Sequence, residues 1–261
     1  MGGIIPPSAY RNKEITEKIN FIGTKNLITN LEKNSPDAFF AFSSSVATYG
    51  DRLNNPNISV TDALNTVGDY YAVSKIKAEE VIQNSKLRWT IFRLSAIMGA
   101  DNHKMSGIMF LMPLKTPMEI TSPEDTARAF VNSIEHQREL AGKTFNLGGG
   151  EKNRIINKDF LQKNFELFGL GKLDFPTYAF VQKNYHCGYY TDSDDLDNIV
   201  HFRQDTLNTY FEKVQKSVSA IQKLVTILFR RIIKGNLLAQ SAPYTAFKQN
   251  DKEKMSHYFD E

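Results

Sequence analysis

The 261-residue chain holds a single cysteine, Cys187, so no intramolecular disulfide can form and a reducing compartment is expected. Paired Cys/His spacings are also missing, which argues against a structural zinc site. No run of about 18 apolar residues occurs, so no helix should span a membrane. The N-terminus lacks the charged-then-apolar order of a signal peptide. Net charge is nearly absent: 32 Lys and Arg against 29 Asp and Glu leave a formal +3. That is too little to draw a chain onto nucleic acid, and no stripe interleaves aromatics with cations for base stacking. Finally, no Gly-x-x-Gly-x-x-Gly or P-loop spacing is present, and Gly148-Gly149-Gly150, after a strand pattern, reads as a tight turn.

What remains, 41% hydrophobic and 23% charged residues, is ordinary globular composition. Ile15, Ile19, Ile22, Leu27, Ile28 and Leu31 recur near helical spacing and predict a helix over about 12–34. The apolar run 38–42 predicts a buried strand ending in Ser43-Ser44-Ser45. A helix with Val73, Ile76, Val81 and Ile82 on its inner side should reach about Asn84, followed by a strand at Arg88–Leu94. The segment 100–117, rich in Met, Gly and Pro, reads equally as a loop near a substrate mouth or as a plain connecting loop. Ser122-Pro123-Glu124-Asp125 has the order N-cap, proline, acidic first turn, and starts a helix reaching about His136. A strand at Lys143–Leu147 and a helix capped by Asn157 complete the rhythm, which predicts an α/β fold with a parallel sheet. Beyond Gly169 the rhythm fades. Residues 1–168 are therefore expected to form the main domain, 169–204 a smaller lobe, and 205–261 a helical extension. In that extension one amphipathic helix over 205–238 puts Val218, Ile221, Val225, Leu228, Phe229 and Ile232 on one side, with packing on the core as its ordinary explanation.

Chemistry concentrates at Tyr71-Ala72-Val73-Ser74-Lys75. If Tyr71 opens a helix, Lys75 lies one turn along the same face, where its ammonium can lower the phenol pKa. Ionising a tyrosine near neutrality requires about 4 kcal/mol of differential stabilisation, more than one lysine supplies.

Five segments, Asn20-Phe21-Ile22-Gly23-Thr24-Lys25-Asn26, 42–50, 71–75, 93–99 and 145–149, stand in the order seen in the extended short-chain dehydrogenase/reductases, also called the NAD-dependent epimerase/dehydratase family, which this chain resembles. The resemblance covers roughly residues 2–199. It implies a partial Rossmann-type parallel sheet flanked by helices, with a smaller C-terminal substrate lobe and a terminal amphipathic helix, and a crevice at the carboxyl ends of the strands. It implies Tyr71 as general acid/base, Lys75 as the residue that tunes it and holds the nicotinamide ribose, and Ser45 as the hydroxyl on the substrate oxygen. It puts Ser43, Tyr71 and Lys75 on the cofactor, NAD or NADP, whose positive ring adds to Lys75. Asn20, Ser44, Ser95 and Ala96 take supporting or substrate-near places, and no residue binds metal.

Departures from the family pattern narrow these expectations. The glycine fingerprint belongs upstream of the first motif, so the chain is expected to lack about 60 residues of the family fold, to bind cofactor weakly by itself, and to leave strand 38–42 and the side bearing Ile15, Ile19 and Ile22 uncovered. Val46 and Ala47 replace the acids of sugar dehydratases, which argues against acid/base-assisted loss of water, and Ala96 replaces the asparagine of Arg-x-x-Asn, which weakens a nucleotide-sugar substrate without excluding it. The expected function is hydride transfer on a secondary alcohol or ketone: a cytoplasmic protein with a small-molecule substrate, no nucleic acid partner, and a homo-oligomeric state left open. A non-catalytic binding or regulatory module of the same fold is the alternative. A peripheral membrane or scaffold role for the basic amphipathic helix is a third reading.

Overall fold

The computed structural model describes residues 3–65, 69–100 and 105–259. Met1 and Gly2, expected as part of a strand tail, and residues 101–104 of the expected loop lie outside them.

Two short helices, α1 (Ser8–Arg11) and α2 (Lys13–Thr16), lead through a π-helical turn, Glu17–Ile22, into α3 (Gly23–Asn34). The helix expected over 12–34 is present, with one wide turn that apolar spacing does not announce. The strands are β1 (Phe39–Ser45), β2 (Asn57–Ile58), β3 (Arg88–Leu94), β4 (Ala96–Ile97), β5 (Pro117–Thr121), β6 (Lys143–Leu147), β7 (Arg154–Ile156) and β8 (Tyr189–Tyr190). Between them run α4 (Tyr70–Gln83), α5 (Pro123–Asn132), α6 (Gln137–Leu140), α7 (Asn157–Phe168) and, after β8, α8 (Asp194–Val200).

The main sheet is parallel, in the order β1-β3-β6, with Phe42 opposite Ile91 and Phe92 opposite Phe145. Side chains alternate across it as the pleat requires. On one face Phe40, Phe42 and Ile91 meet Ile28 of α3 with Ala78 and Ile82 of α4. On the other, Phe92, Phe145 and Leu147 meet Ala129, Leu140, Leu196, Val200 and Phe202. Helices on both faces make the layered α/β fold that the alternating pattern predicts. Residues 194–202, grouped by sequence with the smaller lobe, are thus part of the sheet's own core. Strand β1 pairs only with β3 among the described residues, and Ile15, Ile19 and Ile22 are exposed.

Three local expectations need correction. Strand β5, within and just beyond the expected loop, was not anticipated: its five residues are all buried and pair with β4 and β7, so no period-2 pattern marks it. Asn157 opens α7 without capping it; its amide instead donates to the carbonyls of Met112 and Pro113. The terminal helix is two helices, α9 (Leu207–Ser217) and α10 (Ala220–Leu238), because Ser219 turns out of helical geometry and caps the second through the Gln222 amide. Two short helices follow, α11 (Ala242–Lys248) and α12 (Lys252–Tyr258).

Candidate active site

Ser45 ends β1, and its hydroxyl accepts from the Ala47 amide at 3.2 Å, turning the chain into a single 3-10 turn, Val46–Tyr49. Tyr71 sits in the first turn of α4, whose N-cap is Asp69: its carboxylate accepts from the amides of Tyr71 and Ala72 at 2.9 and 3.1 Å. That cap fixes where the helix starts and hence where the phenol points. One turn later Lys75 follows on the same face. Both side chains are buried, Tyr71 at 8% and Lys75 at 9% exposure.

The Lys75 ammonium donates to the Ser43 carbonyl at 2.8 Å and lies 4.9 Å from the Phe42 ring centre and 5.8 Å from that of Tyr71. Burial pushes its pKa down to about 8, against the charge of Glu79. For Tyr71, burial raises the pKa; a hydrogen bond with Ser45 opposes this, and the Asp69 charge adds to it. Lowering of the phenol pKa by Lys75, expected from spacing, is therefore not what this chain by itself displays. Burial outweighs the Ser45 hydrogen bond, and the lysine ammonium is directed at the Ser43 carbonyl.

The remaining expected residues divide. Ser44 donates its hydroxyl to Glu79, which lies one turn beyond Lys75 on α4 and forms a buried 2.7 Å ion pair with Arg93. Arg93 donates to the Tyr49 hydroxyl at 2.9 Å, Tyr49 to Asn146 at 2.7 Å, and Asn146 to Asp192 at 2.7 Å. This chain of buried polar groups props the ends of β1, β3 and β6 from beneath. Ser43 contributes its carbonyl to Lys75. Asn20 clamps the first residues, its amide accepting from the Ile4 N–H and donating to the Ile4 carbonyl, both at 2.8 Å, and it also reaches the Ser74 hydroxyl at 3.3 Å. Ser95 pairs with Thr121 at 2.8 Å and Ala96 sits opposite Ile120 in β4. Their contacts run to β5, away from Tyr71.

Beside the Tyr71 helix start opens a cleft of about 430 Å³, lined among others by Tyr10, Ala47, Asp51, Asp69, Tyr185 and His186. His186 stacks on Tyr185 with ring centres 4.6 Å apart, and its Nδ1 lies 4.0 Å from Asp69. Burial lowers its pKa, with Asp69 and Asp51 opposing. Tyr10 and His186 were missed from sequence, since neither belongs to a motif and only the fold brings them to this cleft. A second cleft, about 470 Å³, lies at Met98, Gly99 and Ala100 against Thr206, Tyr210 and Lys213. The Cys187 thiol is buried and pushed up to about 12. Among the described residues no group of three His, Cys, Asp or Glu could hold a metal ion.

Two of the three Lys75 ammonium protons have no hydrogen-bond acceptor among the described residues. Such a buried, partly unpaired donor at the carboxyl end of a parallel sheet fits a sugar diol brought to Tyr71. Residues fitted to a pyrophosphate are not evident, since no glycine fingerprint occurs in these 261 residues.

Residues 5–148 match the model of the NAD dependent epimerase/dehydratase family. No curated protein matches. Among solved structures, RMD from Pseudomonas aeruginosa, complexed with NADPH, is 17% identical and covers 83% of this chain and 78% of its own, with a TM-score of 0.65. MoeE5, in complex with UDP-glucuronic acid and NAD, is 16% identical over 83% and 77%, with a TM-score of 0.64. A putative epimerase from Burkholderia cenocepacia J2315 is 20% identical over 86% and 74%, with a TM-score of 0.65.

Proposed function

This chain belongs to the NAD dependent epimerase/dehydratase family, and on that premise we propose that Ser45, Tyr71 and Lys75 carry out proton transfer at a secondary alcohol or its ketone, coupled to hydride transfer with NAD or NADP. The observation that carries the reading is the burial of Tyr71 and Lys75 one turn apart beside Ser45, with Lys75 only partly satisfied. The nicotinamide, when bound, supplies or accepts the hydride and adds a positive charge in its oxidised form.

Tyr71 is the proton donor or acceptor at the substrate oxygen, and Ser45 orients that oxygen through the hydroxyl that already opposes burial of the phenol. Lys75 and Tyr71 would hold the ribose when the cofactor is bound, with the Ser43 carbonyl fixing the lysine. Burial raises the Tyr71 pKa, so a proton leaving the phenol in the oxidative direction would need the added positive charge of the oxidised cofactor. Below about pH 8 Lys75 carries its charge; above it the cation, and with it any help to a tyrosinate, is lost. The segment before Asp194 brings Tyr185 and His186 to the cleft beside Tyr71, where the substrate would sit. MoeE5 binds a nucleotide sugar, but Ala96 stands where many such enzymes of the family carry asparagine, so the proposal stops at a small hydroxyl or carbonyl compound. A reducing, cytoplasmic setting accords with the lone buried cysteine.

Tyr71→Phe is expected to lower NAD(P)-linked turnover by about 10²-fold or more, read as NAD(P)H absorbance. Near-normal turnover would remove Tyr71 from the mechanism. The second reading is a binding module of the same fold without catalysis. NADH fluorescence separates the two: micromolar binding counts against the module, whereas no binding and no turnover favour it.

A further inference from the structure

Helix α10 reverses the usual orientation of an amphipathic helix. Ile221, Leu224, Val225, Leu228 and Ile232 recur every three or four positions and share one stripe, and all five are exposed, Ile221 at 77%, Leu228 at 71% and Ile232 at 61%. The side that meets the body is held by Leu237 and Ile233 in the core beneath, and by Lys234, which donates to the Lys172 carbonyl at 2.6 Å and pairs with Asp174. The close approach of Gly169 to the same helix completes the attachment: a methyl there would come within 2.9 Å of the Lys223 carbonyl. The packing expected from sequence for Ile221, Val225, Leu228, Phe229 and Ile232 is thus not made. Phe229, at 51% exposure, widens the uncovered face.

Charge identifies what could cover it. From Lys213 to Asn250 the chain has no aspartate or glutamate, while Lys213, Lys216, Lys223, Arg230, Arg231, Lys234 and Lys248 all fall within it. Lys213 and Lys234 pair with carboxylates elsewhere, but Lys216, Lys223 and Arg231 form no ion pair among the described residues. A second copy of the helix would bring cations against cations, with no acid on α10 to answer them. A bilayer rich in anionic lipid supplies both the apolar layer and the negative rim. We propose that α10 is a membrane-surface anchor, lying in the headgroup boundary of an anionic leaflet with its Ile/Leu/Val stripe inserted. At about 28 Å the helix is long enough to lie along a surface, and no helix among the described residues is long and apolar enough to cross a membrane.

The test is co-sedimentation of the full chain with vesicles of phosphatidylcholine alone and with about 30% phosphatidylserine, at low and high salt. Binding is expected on the anionic vesicles, weakened by salt. The pair Leu228→Glu and Ile232→Glu should reduce partitioning about ten-fold or more. Arg231→Glu should weaken anionic binding while leaving any binding to the neutral vesicles as it was. Since these side chains are exposed, circular dichroism melting should be unchanged, and Arg231→Glu keeps the test valid should the double variant misfold. Absence of vesicle binding, equal binding to neutral and anionic vesicles, or binding indifferent to both variants would overturn the proposal. Concentration-dependent dimerisation abolished by the double variant, without vesicle binding, would give the face to a second copy instead.

Discussion

Beneath Tyr71 the chain buries charge, and along α10 it exposes hydrocarbon. Glu79 and Arg93 are 1% and 5% exposed, yet each is the other's ion-pair partner, with Ser44, Tyr49 and the Val60 carbonyl taking up further hydrogen-bonding capacity. On α10 the stripe stays exposed, with no element among the described residues covering it. The first departure from the ordinary partition is compensated inside the molecule, and the second is left for something outside it. This difference shows where internal architecture ends: a buried pair that lost a partner would destabilise the fold, whereas the stripe could be changed without the fold responding.

Removing one half of the buried pair should give the largest effect. Glu79→Ala leaves the Arg93 guanidinium uncompensated and is expected to lower stability by about 3–5 kcal/mol in urea unfolding. A loss under 1 kcal/mol would mean that water reaches the network and that the contrast with α10 is one of degree.

Lys75 sharpens the comparison, since it is a buried cation paired less completely than Arg93. Burial brings its pKa from 10.5 to about 8. Between those values the unfolded chain holds a proton that the folded chain does not, so the lysine's contribution makes stability rise with pH across that window. Its penalty is fully present below pH 8. Lys75→Met should therefore stabilise the protein near pH 7 by about 2–3 kcal/mol and flatten the rise towards pH 10, as measured by unfolding midpoints at the two pH values. Destabilisation at pH 7 would show that the Ser43 contact outweighs desolvation.

The smallest effect belongs to the other region. Leu228→Ser is expected to change stability by no more than about 0.5 kcal/mol. A loss above 2 kcal/mol would show that the stripe is already covered in solution, as in a folded oligomer, and the contrast would fail.

The sequence made the parallel sheet readable because buried parallel strands are plain apolar runs and their helices carry strong caps: β3 and β6 fall where Arg88–Leu94 and Lys143–Leu147 were expected, and Ser122 caps α5. Strand β5 escaped because Glu119 interrupts it, a carboxylate buried only because the amides of Gly150 and Tyr190 and the Arg154 guanidinium converge on it. The local pattern carries no trace of those distant donors. At the candidate site the Tyr71/Lys75 spacing was legible from helical periodicity. The direction of the Tyr71 shift was not, since desolvation depends on how tightly α4 closes over β1. Tyr10 and His186 lie far apart in sequence and meet only in three dimensions. For α10 the amphipathic pattern was legible and its orientation was not: periodicity says which residues share a face, and only the anchoring of Lys234 and the close approach at Gly169 say which way that face is turned.

The clamp at Asn20 has a consequence of another kind. One primary amide takes both the N–H and the C=O of Ile4, so a side chain stands in for the rung that a neighbouring strand would contribute. The Ile4 amide is thereby shielded from exchange with solvent deuterium by a single residue 16 positions away. Its protection factor becomes a local clock for how often the leading segment lifts from the helix behind it, independently of whether the rest of the sheet stays closed.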